Sequence, residues 1–171
     1  RPLGHDAKRL MRRRRAEGPI SPLRDGTFSI NLSSDERATL VGFMEQLRAI
    51  VEGGPDDTRM KRLFPTAYHN DAERDAEYQN FMRDDLQQSR LSSIESAVSV
   101  LQSDEPLNEA QLMGFMTVLN SLRLVLGTLL DVGEGDDEDG ISEDDPTFGQ
   151  YQLYGYLGWL LEWVVSALSG D

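Results

Sequence analysis

Apolar residues recur at intervals of three and four along most of the chain, which is the spacing of one helix face. The first stripe follows a Ser-x-x-Glu capping box at Ser33 and ends before Gly53. The second begins after Asn70 and continues to Gln88, and apolar residues at 91–101 extend it. That extension is either the continuation of one bent helix or a separate helix.

Two more stripes lie in the second half of the chain. One follows an Asn-x-x-Gln capping box at Asn108 and extends to about Val132, where Gly133 ends it. The other starts at Pro146, placed at the first helical position after Asp145, and continues to Gly170. The pattern therefore predicts a mainly α protein, a helical bundle of about five helices.

A short β-hairpin is predicted before the first helix. Asp25-Gly26 is a two-residue turn signal, and it stands between residues 20–24 and the alternating Phe28, Ile30 and Leu32. Pro22 restricts the first strand to an edge position. Residues 1–18 have no hydrophobic period, so we expect a flexible basic arm there, followed by one helical domain over residues 19–171.

Charge is divided unevenly along the 171 residues. The net charge is −13, yet residues 1–24 carry +6, and residues 131–145 hold nine acidic side chains and three glycines, typical of a solvated acidic loop. An acidic body repels nucleic acid, so nucleic-acid binding is a hypothesis for the arm alone. The arm either neutralises phosphates or folds back on the acidic body as a solvated tail; its arginines are Arg9, Arg12, Arg13, Arg14 and Arg15.

Residue types and spacings do not favour catalysis or a cofactor. The chain has no cysteine, its two histidines lie in different segments, and no phosphate-binding glycine loop or Gly-x-Ser-x-Gly motif is present. The acidic loop matches a calcium loop at Asp137 and Asp139, but Gly135 and Pro146 occupy positions that need acidic ligands. We therefore predict no metal, no cofactor and no enzyme activity.

No membrane span or signal segment is predicted. The most apolar stretches are interrupted by Arg123 and Glu162, and no uninterrupted run approaches about 18 residues. The basic N-terminus lacks an apolar signal core. With the absence of cysteine, these features favour a cytoplasmic protein.

Arg123 and Glu162 stand in the two most apolar stripes of the chain. A buried charge is costly unless it is paired, so we predict that the two helices pack antiparallel and that Arg123 pairs with Glu162. Asn120, three residues before Arg123, would take a remaining hydrogen bond. The preferred role for this set is structural, fixing the helix register; the alternative is a pocket for an anionic ligand.

Aromatic residues are concentrated in the last predicted helix. One helix face cannot bury all of them, so the excess predicts an interface with a partner protein or a second copy of the chain. Gly155 and Gly158 would allow another helix to approach closely. The predicted interface residues are Tyr154, Tyr156, Trp159 and Trp163.

Three stretches resemble signatures of the actinobacterial domain-of-unknown-function family 2017. They are residues 62–68 (RLFPTAY), 119–127 (LNSLRLVLG) and 156–162 (YLGWLLE). The resemblance implies a small, mainly helical cytosolic protein of an actinobacterium, and some relatives are labelled transcriptional or oxidative-stress regulators. Thiol sensing does not carry over, because this chain has no cysteine. We therefore expect a non-enzymatic regulatory or adaptor protein that binds a protein partner, possible homodimerisation included; the alternative is a nucleic-acid-associated transcriptional regulator that uses the arm.

Overall fold

The computed structural model describes residues 18–53, 58–60, 69–130 and 142–170. Two short strands, β1 (Ile20–Pro22) and β2 (Phe28–Ile30), precede four helices and one 3₁₀ turn at Thr58–Met60. The helices are α1 (Ser34–Glu52), α2 (Ala72–Gln102), α3 (Glu109–Leu130) and α4 (Phe148–Ser169). The protein is mainly helical with an N-terminal hairpin, as the hydrophobic pattern predicts.

The hairpin forms around the predicted turn. β1 and β2 are antiparallel, with Ile20 opposite Ile30 and Pro22 opposite Phe28. Gly26 has a φ of +83°, which favours glycine, and the Asp25 carboxylate accepts hydrogen bonds from the backbone and hydroxyl of Thr27. These two bonds lower the pKa of Asp25 below its ordinary value. The turn is thus built from neighbouring residues.

Local capping explains where the helices start. The Ser33 hydroxyl accepts from the Glu36 backbone while the Glu36 carboxylate accepts from the Ser33 backbone, so the predicted capping box is present. Asn108 and Gln111 make the same reciprocal pair, at 2.9 and 2.8 Å. The last helix begins at Phe148, two residues after Pro146. The Asp145 carboxylate accepts hydrogen bonds from the backbone and hydroxyl of Thr147, which holds these residues in a turn before the helix.

The described residues contain four helices rather than about five. Residues 72–102 form one helix, since they contain no glycine or proline to interrupt the backbone hydrogen bonds. Its buried residues all lie in the C-terminal third, from Ile94 to Leu101. The N-terminal half extends beyond the core, and Phe81, which the spacing places on a core stripe, is 81% exposed. Helical spacing alone therefore overestimated what α2 buries.

α3 lies at the centre of the bundle and packs against α1, α2 and α4. Its side chains Leu112, Phe115 and Leu119 are completely buried. β2 is joined to the segment between α2 and α3 by two backbone hydrogen bonds of 2.8 Å, one in each direction between Phe28 and Leu107. The hairpin, the α2–α3 connection and the helices therefore share one core.

Arg37 joins three of these parts. From α1, its guanidinium donates to the carbonyls of Ile30 at 2.8 Å, Leu101 at 2.9 Å and Ser103 at 2.9 Å, while its Nε reaches Leu32 at 3.3 Å. The bonds link β2 and the start of α1 to the end of α2. The sequence contains no local signal for this role, because the acceptors are backbone carbonyls and two of them lie 64 and 66 residues away in the chain.

Candidate functional site

α3 and α4 pack antiparallel, as the sequence predicts. The Tyr151 hydroxyl, near the start of α4, donates to the carbonyl of Leu130 at the end of α3 at 3.3 Å. Further along α4, Gly158 lies against Arg123 in the middle of α3. Residue numbers therefore rise along one helix as they fall along the other, and Arg123 lies at the contact between the two helices.

The predicted ion pair between Arg123 and Glu162 is not formed. The Arg123 guanidinium carbon lies 4.4 Å from the centre of the Tyr154 ring, and no carboxylate of the described residues forms an ion pair with it. Glu162 is exposed, and so is Asn120. The reason is packing: Gly158 has no side chain, so Arg123 lies across it onto Tyr154 and remains half-buried rather than enclosed.

The Arg123 environment leaves one polar atom without a partner. Its Nε is buried and forms no hydrogen bond, and a Cβ added at Gly158 would lie 3.3 Å from that atom. The guanidinium carbon lies over the Tyr154 ring, which attracts cations through its negative face. This ring contact therefore stabilises the Arg123 cation.

A deeper polar contact exists elsewhere, and sequence reasoning missed it. Arg90 of α2 donates to the hydroxyl of Ser121 at 3.1 Å, and Ser121 is only 4% exposed. Burial lowers the pKa of Arg90 below its ordinary value. Ser121 in turn donates to the Thr117 carbonyl at 3.0 Å. A serine facing inward on so apolar a helix is the sequence signal that could have indicated this contact.

The outer side of α3 and α4 is an apolar surface that no described element covers. On it, Met113 is 49% exposed and Val165 is 52% exposed. In these two helices the charged residues are Glu109, Arg123 and Glu162. We call this surface the α3–α4 face. Helical spacing around the exposed Met113 and Val165 assigns to it a mostly half-buried set, Met116, Asn120, Arg123 and Leu124 of α3 and Tyr154, Gly158 and Leu161 of α4.

The hydropathy of α3 agrees with this description. Among the described helices, Glu109–Leu130 alone is long and apolar enough to cross a membrane by length and composition, and half of its most apolar window is buried inside this fold. The buried half packs on α1, α2 and α4. The remainder includes the exposed Met113 and the half-buried Met116 and Leu124 of the α3–α4 face.

The four aromatic residues predicted to form one interface lie on two sides of α4. Tyr154 belongs to the α3–α4 face, whereas Tyr156 is about 200° further around the helix. The Tyr156 and Trp159 rings have centroids 5.7 Å apart. Trp159 is 44% exposed and Trp163 37% exposed. We call Tyr156, Trp159 and Trp163 the aromatic flank. That these residues and Tyr154 form an interface stays a prediction.

Tyr156 connects the aromatic flank electrostatically to α1. Burial, and secondarily the negative charge of Glu36, raise the pKa of Tyr156 to about 12. Its hydroxyl is buried without a hydrogen-bond partner. The phenol is therefore held neutral well above its ordinary pKa of 10.0.

A broad polar groove separates the C-terminal half of α2 from the start of α3. Its volume is about 650 Å³, and its walls offer hydroxyl and amide groups together with Glu95 and Glu105. The serines that line it are Ser92, Ser93, Ser96, Ser99 and Ser103. Within the described part of the chain, no three histidines or carboxylates are placed to hold a metal ion.

Several predicted sites lie outside the described residues. These are the arm arginines Arg9, Arg12, Arg13, Arg14 and Arg15, and most of the acidic loop. Of that loop, residues 142–145 are described, and the Asp145 carboxylate accepts from Thr147, which lowers the Asp145 pKa. The arm and its possible ligands remain predictions.

Comparison with known proteins supplies the family. No curated protein and no solved structure matches the chain. A family model described as "Domain of unknown function (DUF2017)" matches residues 11–168. The match includes the hairpin and all four helices apart from Ser169, the last residue of α4. The resemblance seen in the three sequence stretches is thereby confirmed, and the chain belongs to the DUF2017 family.

Proposed function

We propose that this protein is a non-enzymatic regulatory or adaptor protein of the cytoplasm that binds a protein partner through the α3–α4 face. The observation that supports it is the exposure of Met113 and Val165 on adjacent helices that carry three charged side chains in total. Exposed apolar residues on a common surface are typical of protein interaction sites. Transcription or stress response is the regulatory context that we propose.

The α3–α4 face also has the features of a specific interface. Methionine adapts to irregular partner surfaces, and a half-exposed arginine or tyrosine contributes strongly when a partner removes it from water. Arg123 and Tyr154 already contact each other at the centre of the face, so a partner would meet a preformed polar anchor surrounded by apolar groups. A carboxylate from the partner is the group that would pair with the half-buried Arg123 guanidinium, which forms no ion pair with the described residues.

The test compares substitutions on and off the face. The tagged full chain captures a partner from a lysate of the source organism. Met113→Lys and Val165→Lys should weaken that binding about tenfold or more, since each places a charge in an apolar contact area that the partner would remove from water. Ala38→Lys, on an exposed position of α1, is the matched control and should bind normally. Normal binding by both face variants would refute the proposed surface.

Light scattering separates the two classes of partner. If a second copy of the chain covers the α3–α4 face, the full chain forms a dimer that Met113→Lys dissociates, whereas a different partner leaves the free chain monomeric. Either result supports the face as an interface. A dimer that survives both face substitutions would place the contact elsewhere.

The alternative function is nucleic-acid association through the arm. Its support is the sequence charge division, with +6 over residues 1–24 against an acidic remainder. Phosphate contacts release counterions, so affinity for duplex DNA should decrease steeply with salt and should vanish when Arg12 to Arg15 are replaced by glutamine. Binding that is unchanged in this variant would refute the alternative.

A further inference from the structure

The start of the described chain lies directly against the aromatic flank. At Gly18, φ is +84°, and a Cβ there would stand 2.6 Å from two carbon atoms of the Trp163 ring. The side chain of Asn31 holds this position by donating to the Gly18 carbonyl at 2.9 Å. The chain before Gly18 is therefore joined to the described fold at a point beside the exposed indole of Trp163.

The arginine run is within reach of both tryptophans. Arg15 precedes Gly18 by three residues, a span of at most about 10 Å, and Arg12 precedes it by six residues, at most about 20 Å. Trp159 is one helical turn from Trp163, about 6 Å along the axis. The run can cover both rings without an extended linker.

The charges and ring chemistry of the flank match an arginine-rich segment. α4 contains no lysine or arginine, and Glu162 stands beside Trp163 in the sequence and is exposed. Glu36 is close enough to the flank to raise the pKa of Tyr156. Tryptophan is the best aromatic partner for a guanidinium, and the same helix already holds Arg123 over Tyr154 at 4.4 Å.

We infer that the chain's own arm, through Arg12 to Arg15, docks on the aromatic flank, with guanidinium groups on Trp159 and Trp163 and with Glu36 and Glu162 as their counter-charges. The docked arm covers apolar ring surface with its side-chain stems and neutralises part of the acidic body. Its arginines are then unavailable to phosphates, so the arm must leave the flank before it contacts nucleic acid. This inference does not depend on the α3–α4 face.

Tryptophan fluorescence tests the inference directly, because Trp159 and Trp163 are the two tryptophans of the chain. The test variant is the full chain with all four arginines from Arg12 to Arg15 replaced by glutamine. If the arm covers about half of the exposed ring surface, collisional quenching by acrylamide, a neutral quencher, should be about twofold stronger in this variant. Arg24→Gln, an exposed arginine in the hairpin turn, is the control and should quench like the wild type.

High salt and substitution of the two glutamates provide two independent tests. Raising salt to about 1 M, where screening acts over about 3 Å, should bring wild-type quenching toward that of the arm variant and leave the variant unchanged. The double variant Glu36→Gln, Glu162→Gln should also increase acrylamide quenching toward that of the arm variant. Glutamine at position 36 retains the capping box. Circular dichroism of every variant shows that the helices are intact.

Two results would overturn the inference. Equal acrylamide quenching in the wild type, the arm variant and the glutamate variant would show that nothing from the arm covers the flank. Quenching that weakens as protein concentration rises would identify a second copy, rather than the chain's own arm, as the occupant. Concentration-independent protection that the arm variant lacks is the expected result.

Discussion

Replacing Arg37 should destabilise the fold more than replacing any exposed arginine. Its guanidinium and Nε donate to four backbone carbonyls, belonging to Ile30, Leu32, Leu101 and Ser103, at 2.8 to 3.3 Å. Two of these lie at the end of α2, where the helix dipole and unpaired carbonyls favour a cation. Arg37→Ala removes all four donated hydrogen bonds together, and the four carbonyls can then be hydrogen-bonded only by water.

The magnitude follows from the number of bonds and their exposure. A hydrogen bond to a charged group contributes about 1.5–3 kcal/mol, so four would give about 6–12 kcal/mol if they were independent. They share one side chain whose ordering costs about 2 kcal/mol, and the half-buried site lets water satisfy part of the loss. We expect Arg37→Ala to lower the free energy of unfolding by about 3–4 kcal/mol. Arg37→Lys should recover about 1 kcal/mol, since an ammonium keeps the charge but not the planar fork.

Urea unfolding followed by circular dichroism measures the effect. With a slope of about 2 kcal/mol per molar urea, the midpoint of Arg37→Ala should decrease by about 1.5–2 M. Arg48→Ala is the control on the same helix; Arg48 makes one surface ion pair with Glu45, at 3.5 Å, and should cost less than about 1 kcal/mol. A loss for Arg37→Ala no larger than that of the control would refute the reasoning.

Three further changes test other parts of the structure. Because the pKa of Tyr156 in the folded protein is about 12, this tyrosine ionises first in the unfolded chain as pH rises above 10, so the free energy of unfolding should decrease there. Tyr156→Phe should remove about 1 kcal/mol of that decrease after allowance for solvent screening, as measured by urea unfolding on either side of pH 10. Gly18→Ala should both strain the backbone and displace the Trp163 ring, with a red-shifted emission, whereas Gly26→Ala, at a similar φ but in open space, should show only the strain, about 1–2 kcal/mol; identical results for the two would contradict the ring contact. Arg123→Met should change the unfolding free energy by less than about 1 kcal/mol, as expected for a ring contact, and a loss of about 3–5 kcal/mol would instead indicate a buried ion pair.

The predictions that proved correct rest on residues close together in the sequence. The Ser33 and Asn108 capping boxes are formed as expected, and the hairpin turns at Asp25 and Gly26, although its loop comprises residues 23–27 rather than two residues. Each involves a side chain and a backbone group separated by two or three residues. Such contacts depend on local dihedral angles, which the sequence specifies without reference to the rest of the fold.

The helix count and the extent of the core required longer-range information. An apolar stripe shows which side of a helix can be buried, but not how much of its length another element covers. α2 is continuous, yet its buried residues all lie between Ile94 and Leu101, and Phe81 is 81% exposed although its spacing is correct. Where helices end relative to one another is a property of their packing.

By itself, the sequence determined the mainly helical class, the caps at Ser33 and Asn108, the hairpin and membership of the family. Only the tertiary structure decided the partners of the charged and aromatic side chains. Arg123 contacts Tyr154 instead of Glu162, and Tyr154 and Tyr156 lie on different sides of α4. Arg37 binds the carbonyls of Leu101 and Ser103, which are 64 and 66 residues away in the chain. The physical reason is that partner choice depends on the rotation of each helix and on the space left by small residues such as Gly158, which arise only when the helices pack together.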